Sequence, residues 1–422
     1  MDKAHTGVWC ALILLASSML ARAEVRAWTP DELVAQALMN NAELKSYEHA
    51  VAVAKGERTQ AGVFRNPEVA VEIGSREVRD SENVLQGNGT TFSASITQTL
   101  EFPGKGTLRK AIANRNIQIA ELGLEQFRHA LVGKVRLLAL EYLAASADST
   151  VAEQVGREST ELAGTLKGKS QGARQTLELR LINGNLLSLQ EAVRTAEVRR
   201  ETARAELIAL LGWPQAQPIS IRAELKPPVQ KFDTSKLVFA SQQNNPLLRI
   251  RHAEVERAGK QLAATRLEIA PDLAIGPFFS RDVAGETETN IGGAITATVP
   301  VWDWNVGNIA SAKARREQAQ TMRVQAEREA EAAVVRTLRI YEITTRQLGR
   351  MPQDARSGLR EASSLANQQY RSGAIGAQLY LDTQREYVNA TQTWNVAVLE
   401  AWKALLDLDL LTGGGAVGKE AP

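Results

Sequence analysis

Apolar positions along the chain follow two different periods. Val69, Val71 and Ile73 alternate with Glu68, Ala70 and Glu72. After a polar stretch from Asp80 to Gly89, Phe92, Ala94, Ile96 and Leu100 alternate with Ser93, Ser95, Thr97 and Thr99. Farther on, Leu273 and Ile275 alternate with Asp272 and Ala274, and Ile291, Ile295, Ala297 and Val299 with small or hydroxyl residues. A period of two gives a strand one apolar and one polar face. The pattern predicts two β-hairpins, with strands of about ten residues, the length of a tilted membrane-crossing strand. Two hairpins cannot close a barrel, so a barrel requires several chains.

Elsewhere the spacing is three or four. Ala113, Ile117, Ala120, Leu124, Phe127, Leu131, Val135, Leu138 and Tyr142 form one seam, and Ala312, Ala319, Ala326 and Ala333 recur every seven residues. Such seams predict coiled-coil-like helices of roughly 45 residues, or about 65–70 Å. Shorter helices are expected near 30–63 and 234–268, the first opened by Thr29-Pro30 followed by Asp31 and Glu32. Helix reversals are expected near Ala147–Thr150 and Gly349–Pro352. Gly212-Trp213-Pro214 and Thr412-Gly413-Gly414 close return helices ending at Leu211 and Leu411.

These elements come in the same order twice. Leu33-Val34 and Asn40-Asn41 recur 204 residues later as Leu237-Val238 and Asn244-Asn245, and Pro67 and Glu68 meet Pro271 and Asp272 at the same offset. Ile96-Thr97-x-Thr99-Leu100 matches Ile295-Thr296-x-Thr298-Val299 at an offset of 199. Repeats organise the expected layout: a first helix–hairpin–helix repeat over 24–211, a proline-rich connector over 212–236, a second repeat over 237–412 and a flexible tail over 413–422. Residues 1–23 read as a secretory signal. A short polar start precedes the apolar run Val8–Leu20, and Ala21-Arg22-Ala23 gives a small-x-small cleavage site. After residue 23 no apolar run is long enough for a transmembrane helix.

Composition narrows the function classes. Cys10, the only cysteine, lies in the signal, so no disulfide or thiolate metal site is expected. Loss of Lys3, Arg22 and Asp2 with the signal leaves 48 basic against 47 acidic residues, which gives no support to nucleic-acid binding. His49, His129 and His252 have no metal-ligand spacing, and no G-x-S-x-G occurs. Ala163-Gly164-Thr165-Leu166-Lys167-Gly168-Lys169-Ser170 imitates a phosphate loop, but it continues a helical run instead of following a strand. No catalytic residue, cofactor or metal site is expected.

At this point the residues resemble a known family, the TolC family of outer-membrane factors. Tyr370-Arg371-Ser372-Gly373 followed by Leu381-Asp382-Thr383-Gln384-Arg385 resembles its Y-x-x-G … L-D-x-Q-R signature. Gln98-Thr99-Leu100-Glu101-Phe102-Pro103-Gly104-Lys105 resembles the strand-to-helix junction of its heavy-metal, cobalt–zinc–cadmium branch. Copy one departs from the signature: Gly172-Ala173 is present, but Leu181-Ile182-Asn183 replaces L-D-x.

The resemblance implies a mainly α chain with a small β part. It would form one third of a trimeric, twelve-stranded outer-membrane barrel with a periplasmic α-helical tunnel. It implies a non-enzymatic conduit for heavy-metal cations, a homotrimer in outer-membrane lipid, served by a periplasmic membrane-fusion adaptor and a resistance-nodulation-division pump. Drug efflux or type I protein secretion is the alternative within the family, and a soluble periplasmic coiled-coil scaffold the alternative outside it. On this reading Glu68, Glu72, Ser93, Ser95 and Thr97 line the pore, and Val69, Val71, Phe92, Ile96 and Ile295 face lipid. Gly172 and Gly373 lie at the periplasmic tip, and Asp382 and Glu386 are candidates for tip contacts or a charged gate. Trp302 and Trp304 are expected at the membrane interface or packed at the barrel–helix junction.

Overall fold

The computed structural model describes residues 26–169, 172–351 and 355–414. The expected signal, Pro352 and most of the expected tail lie outside them. In chain order the elements are β1 (Ala27–Trp28), α1 (Pro30–Asn40), α2 (Ala42–Gln60), β2 (Glu68–Arg79), β3 (Leu85–Leu100), α3 (Lys105–Lys169) and α4 (Ala173–Leu211). Then follow β4 (Ser220–Ile221), α5 (Thr234–Asn244), α6 (Pro246–Leu267), β5 (Leu273–Ala284), β6 (Glu286–Ala297), α7 (Val306–Arg350), α8 (Ala355–Arg371) and α9 (Ala377–Leu411). The chain is mainly helical with a small sheet, as the alternation and the seams require.

Contacts divide it into two compact units, each drawn from both halves of the sequence. One comprises Met1–Ala42, Arg128–Leu237 and Val334–Pro422; the other comprises Glu43–Phe127 and Val238–Ala333. The long helices α3 and α7 contribute to both.

The first unit is helical apart from the two-residue parallel pair β1–β4. Thr29 caps α1 as expected: its hydroxyl accepts from the Glu32 N–H at 3.2 Å, and the Glu32 carboxylate accepts from the Thr29 N–H at 2.8 Å. These contacts and Arg26 hold the Glu32 carboxyl below its ordinary value. Gly212 closes α4 in a left-handed conformation (φ 67°), with the Trp213 N–H reaching back to the Ile208 carbonyl at 3.1 Å. Leu138, Val334 and Leu338 lie in the core.

The second unit holds the four-stranded antiparallel sheet, in the order β2-β3-β5-β6. The chain turns from β3 into α3 through Gly104 (φ 102°), and from β6 into α7 through Asn305 (φ 56°). Left-handed backbone suits glycine and, next, asparagine, so both halves turn the same corner with a permitted residue. Asn305 adds a bond from Nδ2 to the Thr265 carbonyl at 2.9 Å.

Three expectations need correction. The helices expected over 30–63 and 234–268 are each broken, at Asn41 and Asn245. Asn41 donates to the Leu210 carbonyl at 3.0 Å, and Asn245 accepts from the Leu247 N–H at 2.9 Å ahead of Pro246. The asparagine pair that marks the repeat is therefore a helix break. Secondly, α3 runs unbroken through Ala147–Thr150. Asp148 and Ser149 are buried there, and Thr150 folds its hydroxyl onto the Ser146 carbonyl at 2.8 Å; polar residues that satisfy one another need no loop. Thirdly, although α7 ends at Arg350, a further turn at Ser372–Gly376 separates α8 from α9, so no single return helix runs to Leu411.

Candidate functional site

Strand register decides which side chains share a face, because directly opposed residues in an antiparallel pair point the same way and neighbours along a strand point apart. Val69 pairs with Ile96, Val71 with Ala94 and Ile73 with Phe92. Ala94 pairs with Phe279, Gln98 with Ile275 and Ile275 with Ile295. The candidates Val69, Val71, Phe92, Ile96 and Ile295 therefore share one face. That face is exposed: Val69 is 69% and Ile295 78% accessible.

The opposite face is polar. Glu68 pairs with Thr97, Ala70 with Ser95 and Glu72 with Ser93, so the other five strand candidates lie together. Ser280 and Asn290 continue the same row. The Ser93 hydroxyl donates to Glu72 at 3.3 Å. Arg76 donates to Asp282 at 2.6 Å and to Glu288 at 3.2 Å, and Asp282 also accepts from Thr91. One aromatic interrupts this face: the Phe278 ring lies over Gly292, 2.8 Å from where a Cβ would stand. Alternation in the sequence does not assign Phe278, because Phe278 and Phe279 are adjacent and only the register separates them.

In the helical unit, α3, α4, α8 and α9 converge on a cluster of Leu162, Ala163, Ile182, Ala366, Tyr380 and Leu381 beside the turns that carry Gly172 and Gly373. Gly172 is the N-cap of α4, with extended backbone. Gly373 is left-handed (φ 79°), and the Ala374 N–H reaches the Gln369 carbonyl at 2.9 Å, closing α8. The Y-x-x-G stretch is thus a helix stop.

The second signature stretch divides its labour. Leu381 enters the cluster. Gln384 is fully buried and bonded to Ser363. Asp382 stays partly exposed, accepting from Gln378 at 3.0 Å with Arg385 at 3.7 Å, and Glu386 is exposed. In copy one, Ile182 takes the core position of Leu381 and Asn185 that of Gln384, both at an offset of 199. The structure thus moves the match from Leu181, which is exposed, to Ile182, and copy one keeps the packing with Asn183 in place of the acid.

Tyr370 stacks on Tyr380 at 5.1 Å and contacts Glu178 at 3.3 Å. Burial first, then the Glu178 charge, pushes the Tyr370 phenol up to about 12. Burial also raises Tyr380, whose hydroxyl shares a 3.2 Å bond with Ser159. Both tyrosines stay neutral, and Tyr370 donates to Glu178. Asn367 donates to Glu158 at 3.0 Å and Arg371 to Glu161 at 2.9 Å. Farther along α3, buried Asp148 accepts from Asn395 at 2.8 Å and pairs with Arg199 at 3.2 Å. No sequence spacing announces these interhelical bonds.

The phosphate-loop imitation lies within α3 as far as Lys169; Ser170 falls outside the described residues. Among the described residues no group of three or more His, Cys, Asp or Glu could hold a metal ion, and no helix is long and apolar enough to cross a membrane.

No protein-family model matches the chain. The pyoverdine export outer membrane protein OpmQ of Pseudomonas putida is 24% identical over 413 residues, covering 91% of this chain and 86% of that protein. Among solved structures, a membrane protein from Pseudomonas aeruginosa superposes with a TM-score of 0.76 at 19% identity, covering 94% of this chain and 93% of its own. CusC, reported for transmembrane channel formation, gives 0.72 at 17% identity, with 93% of each chain covered. The Campylobacter jejuni CmeC outer membrane channel gives 0.72 at 18% identity, covering 93% and 87%. The chain has the fold of these outer-membrane channels.

Proposed function

We propose that this chain is a member of the TolC family of outer-membrane factors, the channel subunit of a tripartite efflux system. The carrying observation is the sheet. One face is apolar and exposed, the other is hydroxyl- and carboxylate-lined, and β2 and β6 each pair on one side only. Long open edges beside an apolar face are a liability in water. Three copies paired edge to edge close a twelve-stranded barrel, with the apolar face in lipid and the polar face around a pore. Glu68, Glu72, Ser93, Ser95 and Thr97 then line the conduit. The turns at Gly172 and Gly373, with Asp382 and Glu386 nearby, face a periplasmic adaptor that links the channel to a resistance-nodulation-division pump. The chain itself acts passively, without catalysis.

For substrate we propose heavy-metal cations, supported by the resemblance of the Gln98–Lys105 junction to the heavy-metal branch and by the acidic groups on the polar face. A second reading, export of organic compounds, is favoured by the curated relative, whose name assigns it pyoverdine. Deleting the gene and measuring tolerance to zinc, cobalt, cadmium, nickel and copper separates them. Lowered tolerance to one or more metals supports the first; unchanged tolerance to all, with an organic compound retained in the cell, supports the second.

A further inference from the structure

The polar face of the sheet carries a charge pattern that strand pairing alone leaves unbalanced. Asp282 of β5 pairs directly with Glu288 of β6, and Thr91 of β3 completes the row. Two carboxylates opposed in this way repel each other. By the same register Glu68, Glu72 and Glu286 lie on this face too. Among the described residues of the four strands, Arg76 is the one basic side chain on that face.

Arg76 answers that repulsion from two strands away. It pairs with Gly89, which has no side chain, so its own crosses β3 towards β5. The distance covered is two strand spacings, about 9–10 Å. One nitrogen, Nη1, donates both to Asp282 Oδ2 at 2.6 Å and to Glu288 Oε2 at 3.2 Å. The other Asp282 oxygen accepts from the Thr91 hydroxyl. The two carboxylates therefore converge on a single point, and a cation belonging to the chain fills it. Carboxylate oxygens are the donors that hard divalent ions prefer. Such ions can reach the row, because the Glu288 side chain is 59% and the Arg76 side chain 37% accessible.

We propose that Arg76 is a tethered counter-cation that keeps divalent metal ions from lodging between Asp282 and Glu288. The role rests on the channel reading, in which this row lines the pore, and it adds a residue that governs passage. An acidic wall concentrates cations in a pore. Passage also requires that each ion leave again, so a site that holds ions tightly obstructs the conduit. Glu68 and Glu72 stand opposite Thr97 and Ser93, so they attract cations without pairing two acids. Asp282 and Glu288 are the one directly opposed acid pair among the described strand residues, and Arg76 reaches that pair. A guanidinium keeps its charge at any ordinary pH. Its tether to β2 gives it a high effective concentration against a free ion.

The test is single-channel recording of the full-length protein in planar bilayers, in potassium chloride with manganese(II) added as the probe ion. Arg76→Gln should be blocked at a manganese concentration lower by about tenfold or more than wild type requires. Adding Asp282→Asn to Arg76→Gln should restore the wild-type response. Arg76→Lys, a point charge on a shorter side chain, should fall between wild type and Arg76→Gln. Equal sensitivity of wild type and Arg76→Gln, or a block that survives Asp282→Asn, overturns the proposal and leaves the channel reading standing. Where Arg76→Gln alone gives no current, a wild-type manganese response in Arg76→Lys overturns it. No conductance steps from wild type overturns both.

Discussion

The Ser363 hydroxyl donates to the Gln384 side-chain oxygen at 2.7 Å, and the Gln384 amide returns a bond to the Ser363 carbonyl at 3.0 Å, both buried between α8 and α9. The equivalent residue in copy one, Asn185, is also buried, yet its Nδ2 has no partner. The two sites should therefore respond oppositely to the same change. Gln384→Leu leaves Ser363 unpaired and should destabilise by about 1–3 kcal/mol, whereas Asn185→Leu removes an unmatched donor and should be neutral or stabilising by about 1 kcal/mol. Thermal unfolding of the two variants measures both signs.

Adjacent strand residues should also behave as opposites. Val71→Lys places a charge on the apolar face, and near a bilayer midplane that costs about 2–4 kcal/mol. It should reduce recovery in the outer-membrane fraction. Glu72→Lys, one residue along, points to the other face; it should insert normally and shift ion selectivity towards anions in reversal-potential measurements.

The corner at Gly104 predicts a local strain effect. Gly104→Ala forces an alanine to φ 102° with Leu267 Cδ2 3.1 Å from the new Cβ, at a cost of about 1–3 kcal/mol. Asn305→Gly keeps the permitted backbone but loses the Nδ2 bonds to the Thr265 carbonyl and Glu268 and the bond that Asn308 donates to Oδ1, each worth about 0.5–1.5 kcal/mol. Both melting temperatures should fall below that of the parent, Gly104→Ala through backbone strain and Asn305→Gly through lost bonds.

Asp148 predicts a pH dependence. Burial raises its carboxyl above the ordinary 3.8, the Asn395 and Arg199 contacts opposing only in part. The folded state then binds a proton more tightly than the unfolded chain, so this group's contribution to stability falls as pH rises from about 3.8 through the raised value. Asp148→Asn should remove that slope from a plot of melting temperature against pH; an unchanged slope would show that another carboxyl carries it.

Much of this was legible in the chain because each signal was local. Alternation at Val69–Ile73 and Phe92–Leu100 needs only a period of two to give a strand, and Thr29-Pro30-x-Glu32 needs only four residues to cap a helix. The strand candidates sorted onto two faces by parity alone. Polar residues inside long helices were misread for the same reason. Ala147–Thr150 looks like a break locally, and only distant partners, Asn395 and Arg199, make Asp148 acceptable in a helix interior. The breaks at Asn41 and Asn245 were visible as a repeat but not as structure, because their capping bonds are read only once the backbone turns. The contacts of Tyr370 and Tyr380 depend on partners from other helices and have no spacing to find.

The central claim is that three copies of this chain make one pore. Purified protein should run as a cross-linkable species of three times the mass of the mature chain, the 46.0 kDa sequence less residues 1–23, and, added to a planar lipid bilayer, give discrete conductance steps whose cation preference falls in Glu72→Lys. A monomer that stays soluble without detergent and produces no steps would contradict the account.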